Sequence, residues 1–497
     1  MLLIRADANA AIGTGHVMRC LALAQAWQDS GGNTVFAMAD CSSSIKERLQ
    51  KEPLSVVEIS DESGSSDDAR RTAELAHDHG AAWVTVDGYQ FGAEYQRTLK
   101  ALGLKILFLD DYGHAQEYCA DIVLNQNISA GESAYKRCEP ATRLLLGPRY
   151  CMLRREFYPW REWNREIAPI GHRVLVTMGG SDSQNFTEKA MDALGLIDDE
   201  KLEIAIVVGG SNLHYESLQR AAVGHRKKIR FYHDAPDMAE LMAWADMAIS
   251  AAGTTSWEIC LLGLPAILIS LAENQVPVAQ ELHSRGCAIH LGGPHQVSAR
   301  SLAGPVAHIL SSESDRHAMS WRCRELVDGR GAMRVVAAVQ GSRLRLRPAT
   351  ENDSRLLWEW ANDSQVRAAS FSSEPIPWET HVAWFAEKLK QQSCRIWIAE
   401  IDEKNPVGQI RVDPRADGES EIHVSICKPW RGRSFSEQLI RLGSRSALNG
   451  GGCARLHAFI KVANVASLKA FETAGFEPIG VEWIRGAEAV HLICETN

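Results

Sequence analysis

The sequence predicts an α/β protein of two doubly wound βαβ lobes followed by a separate α+β domain. Three observations predict it. Short β-rich runs alternate with helical stretches over the first 150 residues. The same alternation restarts after a bridge rich in Arg, Trp and Pro and runs to about Gln340. At Arg343 the character changes, and strands cluster ahead of a helix–strand–helix tail. At about 150 residues per domain, a chain of 497 residues accommodates three. The expected divisions are 1–150, 151–342 and 343–497.

In the first lobe, Leu2 to Arg5, Val35 to Met38, Val56 to Ile59, Trp83 to Val86 and Ile106 to Leu109 read as buried strands. Amphipathic segments His16 to Trp27, Ser66 to His79 and Ala93 to Leu102 lie between them, as a parallel sheet covered on both faces requires. After the bridge Pro148 to Pro169, strands are expected at Val174 to Thr177, Glu203 to Val208, Arg230 to Tyr232, Met247 to Ser250 and Ala266 to Ser270. The last domain opens with a strand at Leu344 to Pro348 and a helix at Asn352 to Asn362. Strands follow at Ile396 to Ile401, Val407 to Val412 and Glu421 to Ile426. A helix from Ser436 to Leu448, a strand from Leu456 to Ile460 and a helix from Ala466 to Ala474 form the tail.

Composition narrows the function. The 53 basic and 62 acidic side chains give a net charge of −9, with no overall pull toward nucleic acid or an anionic membrane. The longest apolar run, Leu261 to Ala272, is short for a bilayer and broken by Pro265. No secretory pattern opens the chain, and the twelve cysteines contain no CxxC pair, so reduced thiols in a cytoplasm are expected.

Gly13-Thr14-Gly15-His16-Val17-Met18-Arg19 joins the first strand to the first helix. Two glycines permit a tight turn and close approach of a ligand, and the helix start suits an anion. Met18 stands where a dinucleotide fingerprint needs its third glycine, which disfavours a nicotinamide cofactor. At a helix N-terminus His16 should hold its proton weakly and serve as a general base, or it merely caps the helix. Asp87-Gly88-Tyr89 and Asp110-Asp111-Tyr112 follow the fourth and fifth strands, at the sheet edge where open α/β proteins bind ligands. The paired acids read as a turn or hydrogen-bonding element more readily than as a metal site. In the second lobe, Gly179-Gly180-Ser181-Asp182 is another close-approach turn. Gly253-Thr254-Thr255 would offer amide and hydroxyl donors to phosphate oxygens, with Glu258 one turn on for ribose hydroxyls. Thr254-Thr255-Ser256 also reads as a plain N-cap, with Glu258 completing a capping box. Asn274 and Gln275 could reach the same cleft.

Gly13-x-Gly15-His16-x-x-Arg19, Ala252-Gly253-Thr254-Thr255-x-x-Glu258, Asn274-Gln275 and Asp328-Gly329-x-Gly331-Ala332-x-Arg334 resemble the UDP-sugar hydrolases of pseudaminic acid biosynthesis, over residues 1 to about 340. The resemblance implies two Rossmann-like lobes in a glycosyltransferase-B-like arrangement, with UDP on the second. It implies hydrolysis of UDP-2,4-diacetamido-2,4,6-trideoxy-β-L-altropyranose, with His16 deprotonating the attacking water. Gly13, Gly15, Arg19, Asp87, Tyr89, Gly180, Ser181, Gly253, Thr254, Thr255, Glu258, Asn274 and Gln275 would bind substrate, and no metal is called for.

The third domain resembles the GNAT N-acetyltransferase superfamily in Leu344 to Asp353, in Pro429-Trp430-Arg431-Gly432-Arg433-Ser434-Phe435-Ser436, in Asn464-Val465-Ala466-Ser467 and in Phe471-Glu472-Thr473-Ala474-Gly475-Phe476. This implies acetyl-CoA as cosubstrate, held by Arg431, Gly432, Arg433, Ser434, Ser436 and Asn464. Glu421 and His423, on one face of a strand, are the possible bases. Ser434 and Ser436 replace glycines of the superfamily. Phe471 replaces a tyrosine that often protonates the thiolate, and it cannot do that itself. The combined expectation is a bifunctional enzyme that N-acetylates a 4-amino UDP-sugar and then hydrolyses the product. The alternative is a UDP-sugar glycosyltransferase with a non-catalytic acetyltransferase-like binding domain.

Overall fold

The computed structural model describes residues 1–8, 13–180, 182–210, 212–233, 235, 237–340, 344–391, 393–401, 405–432, 435–448 and 454–495. The expectations for Ser181, Arg433 and Ser434 lie outside the described residues. Contacts divide the chain into two compact units, Met1–Val339 and Gln340–Asn497.

The first unit holds two parallel sheets. Strands β1 (Leu2–Ala6), β2 (Thr34–Met38), β3 (Ser55–Glu58), β4 (Trp83–Asp87), β5 (Lys105–Leu109), β6 (Ile122–Asn125) and β7 (Arg143–Leu146) are ordered 3-2-1-4-5-6-7. Strands β8 (Arg173–Thr177), β9 (Glu203–Val208), β10 (Lys228–His233), β11 (Met247–Ala251), β12 (Ala266–Ile269) and β13 (Ile289–His290) repeat the plan as 10-9-8-11-12-13. The strand order reverses between β1 and β4 and between β8 and β11. A crevice forms beyond the carboxyl ends of the strands at each reversal, and both glycine turns open there.

Two features depart from the expectation. The helix Gly15–Asp29 is buried on nearly all sides instead of amphipathic, because a second helix covers its outer face. That helix, Gly331–Val339, belongs by sequence to the second lobe, yet Ala332, Val335, Val336, Ala338 and Val339 pack into the core of the first. Gly331 makes the return crossing possible: a Cβ there would lie 2.1 Å from the Cys151 carbonyl oxygen. Arg334 pins the crossing to Asp328 and to the Arg149 carbonyl. The bridge is a fastening as well. Trp160 meets Trp163 edge-on at 5.1 Å, and Arg165 donates to the carbonyls of Met242, Ala245 and Leu262.

The second unit is a mixed sheet of β14 (Arg345–Pro348), β15 (Arg395–Ile401), β16 (Asn405–Pro414), β17 (Ser420–Ile426), β18 (Arg455–Lys461), β19 (Glu477–Ile484) and β20 (Ala487–Glu495), ordered 14-15-16-17-18-20-19. Its one parallel pairing, β17 with β18, holds at Ser420–Leu456 and Glu421–His457, after which the strands part. The helix Phe435–Leu448 packs on one face, where Gly443 lies against Ile410. The helices Ser354–Ala361 and Trp378–Lys390 cover Ile396 and Ile398 on the other. The tail expected to close on a helix continues into the hairpin β19–β20. Its two-residue turn, Arg485-Gly486, has φ of 45° and 84°, as a hairpin turn requires. Among the described residues no helix is long and apolar enough to cross a membrane.

Candidate functional site

His16 is the second residue of its helix and is buried, and its ring stands edge-on to Tyr89 with centroids 5.0 Å apart. Nδ1 lies 3.7 Å from an Asp87 oxygen and Nε2 3.9 Å from Asp111, both beyond hydrogen-bond range. Nδ1 has no hydrogen-bond partner among the described residues. Burial lowers the imidazole pKa below its ordinary value. Asp87 and Asp111 oppose the shift, while Arg19 and His114 reinforce it. The ring is therefore held neutral chiefly by desolvation, where the sequence reading invoked the helix dipole.

Arg19 and Asp87 are put to a different use from the expected contact with substrate. The Arg19 guanidinium donates to both Asp87 oxygens at 2.7 Å and to Asp111 at 2.6 and 3.2 Å. Asp87 is wholly buried, so this pair forms the floor beneath His16. Burial would raise the Asp111 carboxyl, but Arg19, His16 and the Tyr89 hydroxyl outweigh it and hold the group below its ordinary value. Tyr89 donates to Asp111 at 2.7 Å and accepts from the Asn274 amide at 2.8 Å. Tyr89 and Asn274, both expected at substrate, thus bond to each other across the cleft between the lobes.

The glycine turns of the two lobes also meet. Gly13 needs its left-handed φ of 79°. A Cβ on Gly15 would sit 3.7 Å from Thr254 Oγ1, and one on Gly180 would sit 2.8 Å from Thr14 Oγ1. The helix Thr255–Leu261 has no side-chain cap, so the expected capping box is absent. Glu258 instead accepts from Arg154 at 2.8 Å. Arg154 comes from the bridge, over a hundred residues away in sequence, where no local pattern reveals the partner. Gln275 accepts from the Leu271 amide, and its Nε2 approaches Gly253. Asp182 satisfies the amides of Phe186 and Thr187, which occupies the start of the helix Phe186–Gly195. No group of three or more His, Cys, Asp or Glu suited to a metal ion occurs among the described residues.

In the second unit, Gly432 is left-handed with φ of 77° and Ser436 lies in the first turn of the helix Phe435–Leu448. Arg431 turns away from that helix start, toward Asp363, Gln365 and the Ile426 carbonyl. Asn464 caps the helix Val465–Thr473 through the Ser467 amide, and Phe471 is buried against Phe476. Both are therefore occupied in packing and capping. Glu421 and His423 do share a face, with His423 Nε2 3.4 Å from Glu421 and 3.3 Å from Asp413. Asp413 was not singled out by sequence. Burial would raise it, but His423, Arg411 and Lys388 together hold it well below its ordinary value. His423 lies two residues past Glu421, where β17 and β18 begin to part.

Residues 173–323 match the glycosyltransferase family 28 C-terminal domain, and residues 343–477 match the acetyltransferase (GNAT) domain. The chain is 30% identical to the spore coat polysaccharide biosynthesis protein SpsG of Bacillus subtilis over 236 residues, 47% of this chain and 68% of that protein. It is 28% identical to the UDP-2,4-diacetamido-2,4,6-trideoxy-beta-L-altropyranose hydrolase of Campylobacter jejuni over 287 residues, 57% of this chain and 97% of that protein. In fold it resembles MurG of Acinetobacter baumannii, with a TM-score of 0.50 and 18% identity over 68% of this chain and 99% of that one. The paired parallel sheets are thus Rossmann-like lobes in a glycosyltransferase-B-like fold, and the second unit is a GNAT domain.

Proposed function

The chain belongs to the family of the spore coat polysaccharide biosynthesis protein SpsG, and on that premise we propose that its first unit hydrolyses a UDP-sugar and its second acetylates the sugar beforehand. The observation that carries the first half is His16, a buried imidazole held neutral at the mouth of the lobe crevice. It takes a proton from water, whose oxygen attacks the anomeric carbon. The bond from that carbon to the β-phosphate oxygen breaks, and UDP leaves with the electron pair. Gly253, Thr254 and Thr255 would meet the developing charge with amide and hydroxyl donors, and Glu258 would retain one oxygen for the ribose. The sugar is taken from the Campylobacter jejuni relative, 2,4-diacetamido-2,4,6-trideoxy-β-L-altropyranose, and would be bounded by Tyr89 and Asn274.

In the second unit, the match to the GNAT domain and the parting of β17 from β18 support acetyl-CoA as cosubstrate. Glu421 and His423 stand at that opening as the groups that would accept the proton of the attacking amine, with Asp413 positioning His423. Fused on one chain, the units raise the local concentration of the acetylated intermediate.

Incubation of the protein with the UDP-diacetamido sugar alone tests the hydrolase. Free sugar and UDP in equal amounts are expected. Release only when a second sugar is added would favour the glycosyltransferase reading, which the family 28 match also supports. Because His16 titrates below the ordinary imidazole value of 6.5, kcat/KM should rise with pH through a limb below 6.5 and be flat at neutrality. An acid limb centred above 7 would contradict the assignment of His16 as base.

A further inference from the structure

A second histidine lies in the same pocket wall. His114 Nδ1 is 2.7 Å from Asp110, which also receives the Gly113 amide at 2.7 Å and the hydroxyls of Tyr118 and Tyr135 at 2.8 Å. Four donors converge on Asp110, so it is a carboxylate, and the Nδ1 proton of His114 is committed to it. That leaves Nε2 as the histidine's remaining polar atom. The side chain is 8% exposed, and Nε2 is buried with no partner among the described residues. The ring stands 5.4 Å from Tyr89 and 5.9 Å from Tyr112. Tyr89 in turn lies against His16. Both tyrosines are substantially exposed, at 37% and 53%. A buried polar atom without a partner calls for an explanation in a folded protein.

We propose that His114 is a sugar-recognition residue of the cleft, whose Nε2 accepts a hydrogen bond from a hydroxyl or acetamido N–H of the sugar in a nucleotide sugar. The proposal rests on the nucleotide-sugar reading of the cleft. With its Nδ1 proton given to Asp110, the neutral ring presents Nε2 as the acceptor, and the Tyr89 and Tyr112 rings supply the apolar wall beside it. UDP lacks the sugar and leaves Nε2 unpaired.

Calorimetry on the full chain carrying His16→Ala, which removes turnover, tests the assignment with UDP and with the UDP-diacetamido sugar. Adding His114→Gln should leave UDP affinity unchanged and weaken the UDP-sugar about tenfold. Unchanged UDP-sugar affinity, or equal loss of both ligands, overturns the role of His114 alone. Binding of neither ligand before His114 is altered overturns the nucleotide-sugar reading itself. Should His114→Gln fail to fold, the ¹⁵N shift of His114 Nε2 in the His16→Ala protein decides. It should move on addition of the UDP-sugar and stay in place with UDP; no movement, or movement with UDP alone, overturns the proposal.

Discussion

Replacing His16 by alanine should lower kcat for UDP release by about 100- to 10,000-fold, the range expected for a positioned general base, and leave UDP affinity unchanged. The separation follows from the architecture. His16 sits on the first lobe, and the groups assigned to the diphosphate, Gly253 to Thr255, sit on the second. The ring makes no direct hydrogen bond to Asp87 or Asp111, so alanine strands no partner and the protein should melt near the wild-type temperature. Steady-state kinetics with calorimetric UDP titration check this. Parallel loss of turnover and UDP affinity would mean that His16 binds nucleotide instead of activating water.

Arg19→Met should be the most damaging substitution for stability. Arg19 is buried and gives both Asp87 and Asp111 their guanidinium contacts, while Cys20, Tyr89 and Asn127 add only neutral donors. Removing it leaves two buried carboxylates facing each other, at a cost of about 3–5 kcal/mol. Calorimetry of the full chain should show the loss in the transition of the first unit. The same change acts on catalysis. Arg19 helps lower the His16 pKa while Asp87 and Asp111 raise it. Without the guanidinium, any surviving activity should have its acid limb moved to higher pH. A variant as stable as wild type with an unmoved limb would contradict the role of Arg19 as the floor that sets the protonation of His16.

The contrast between His16 and Arg19 shows what the sequence carries. The position of His16 is legible, because two glycines and a helix start lie within three residues of it, but the burial that lowers its pKa is not. Arg19 lies in the same motif, yet its partners are 68 and 92 positions distant, at the ends of β4 and β5. Strand alternation located those ends, but no periodicity reveals which cation will meet them. His114 was passed over for the same reason, since its orphaned nitrogen exists only once Tyr89 and Tyr112 are folded beside it. In the fold, long apolar strands such as Glu203–Val208 declare themselves, whereas β6 and β7 follow β5 with no α-helix between them, so the strand–helix alternation that marks the others is missing. The strand Glu477–Ile484 is exposed along nearly its whole length, so it lacks the in–out alternation that marks a strand. The helix Gly331–Val339 has no separate place in the sequence reading, and its return to the first lobe depends on Gly331 passing Cys151, a contact 180 residues apart.

On the proposed reading, one chain performs two consecutive steps on one sugar nucleotide. NMR of the full chain with UDP-4-amino-4,6-dideoxy-N-acetyl-β-L-altrosamine, with and without acetyl-CoA, tests it most directly. UDP and the free diacetamido sugar should appear together, and their release should depend on acetyl-CoA. An acetylated UDP-sugar that accumulates intact, or an amino sugar nucleotide left unchanged in both tubes, would contradict it.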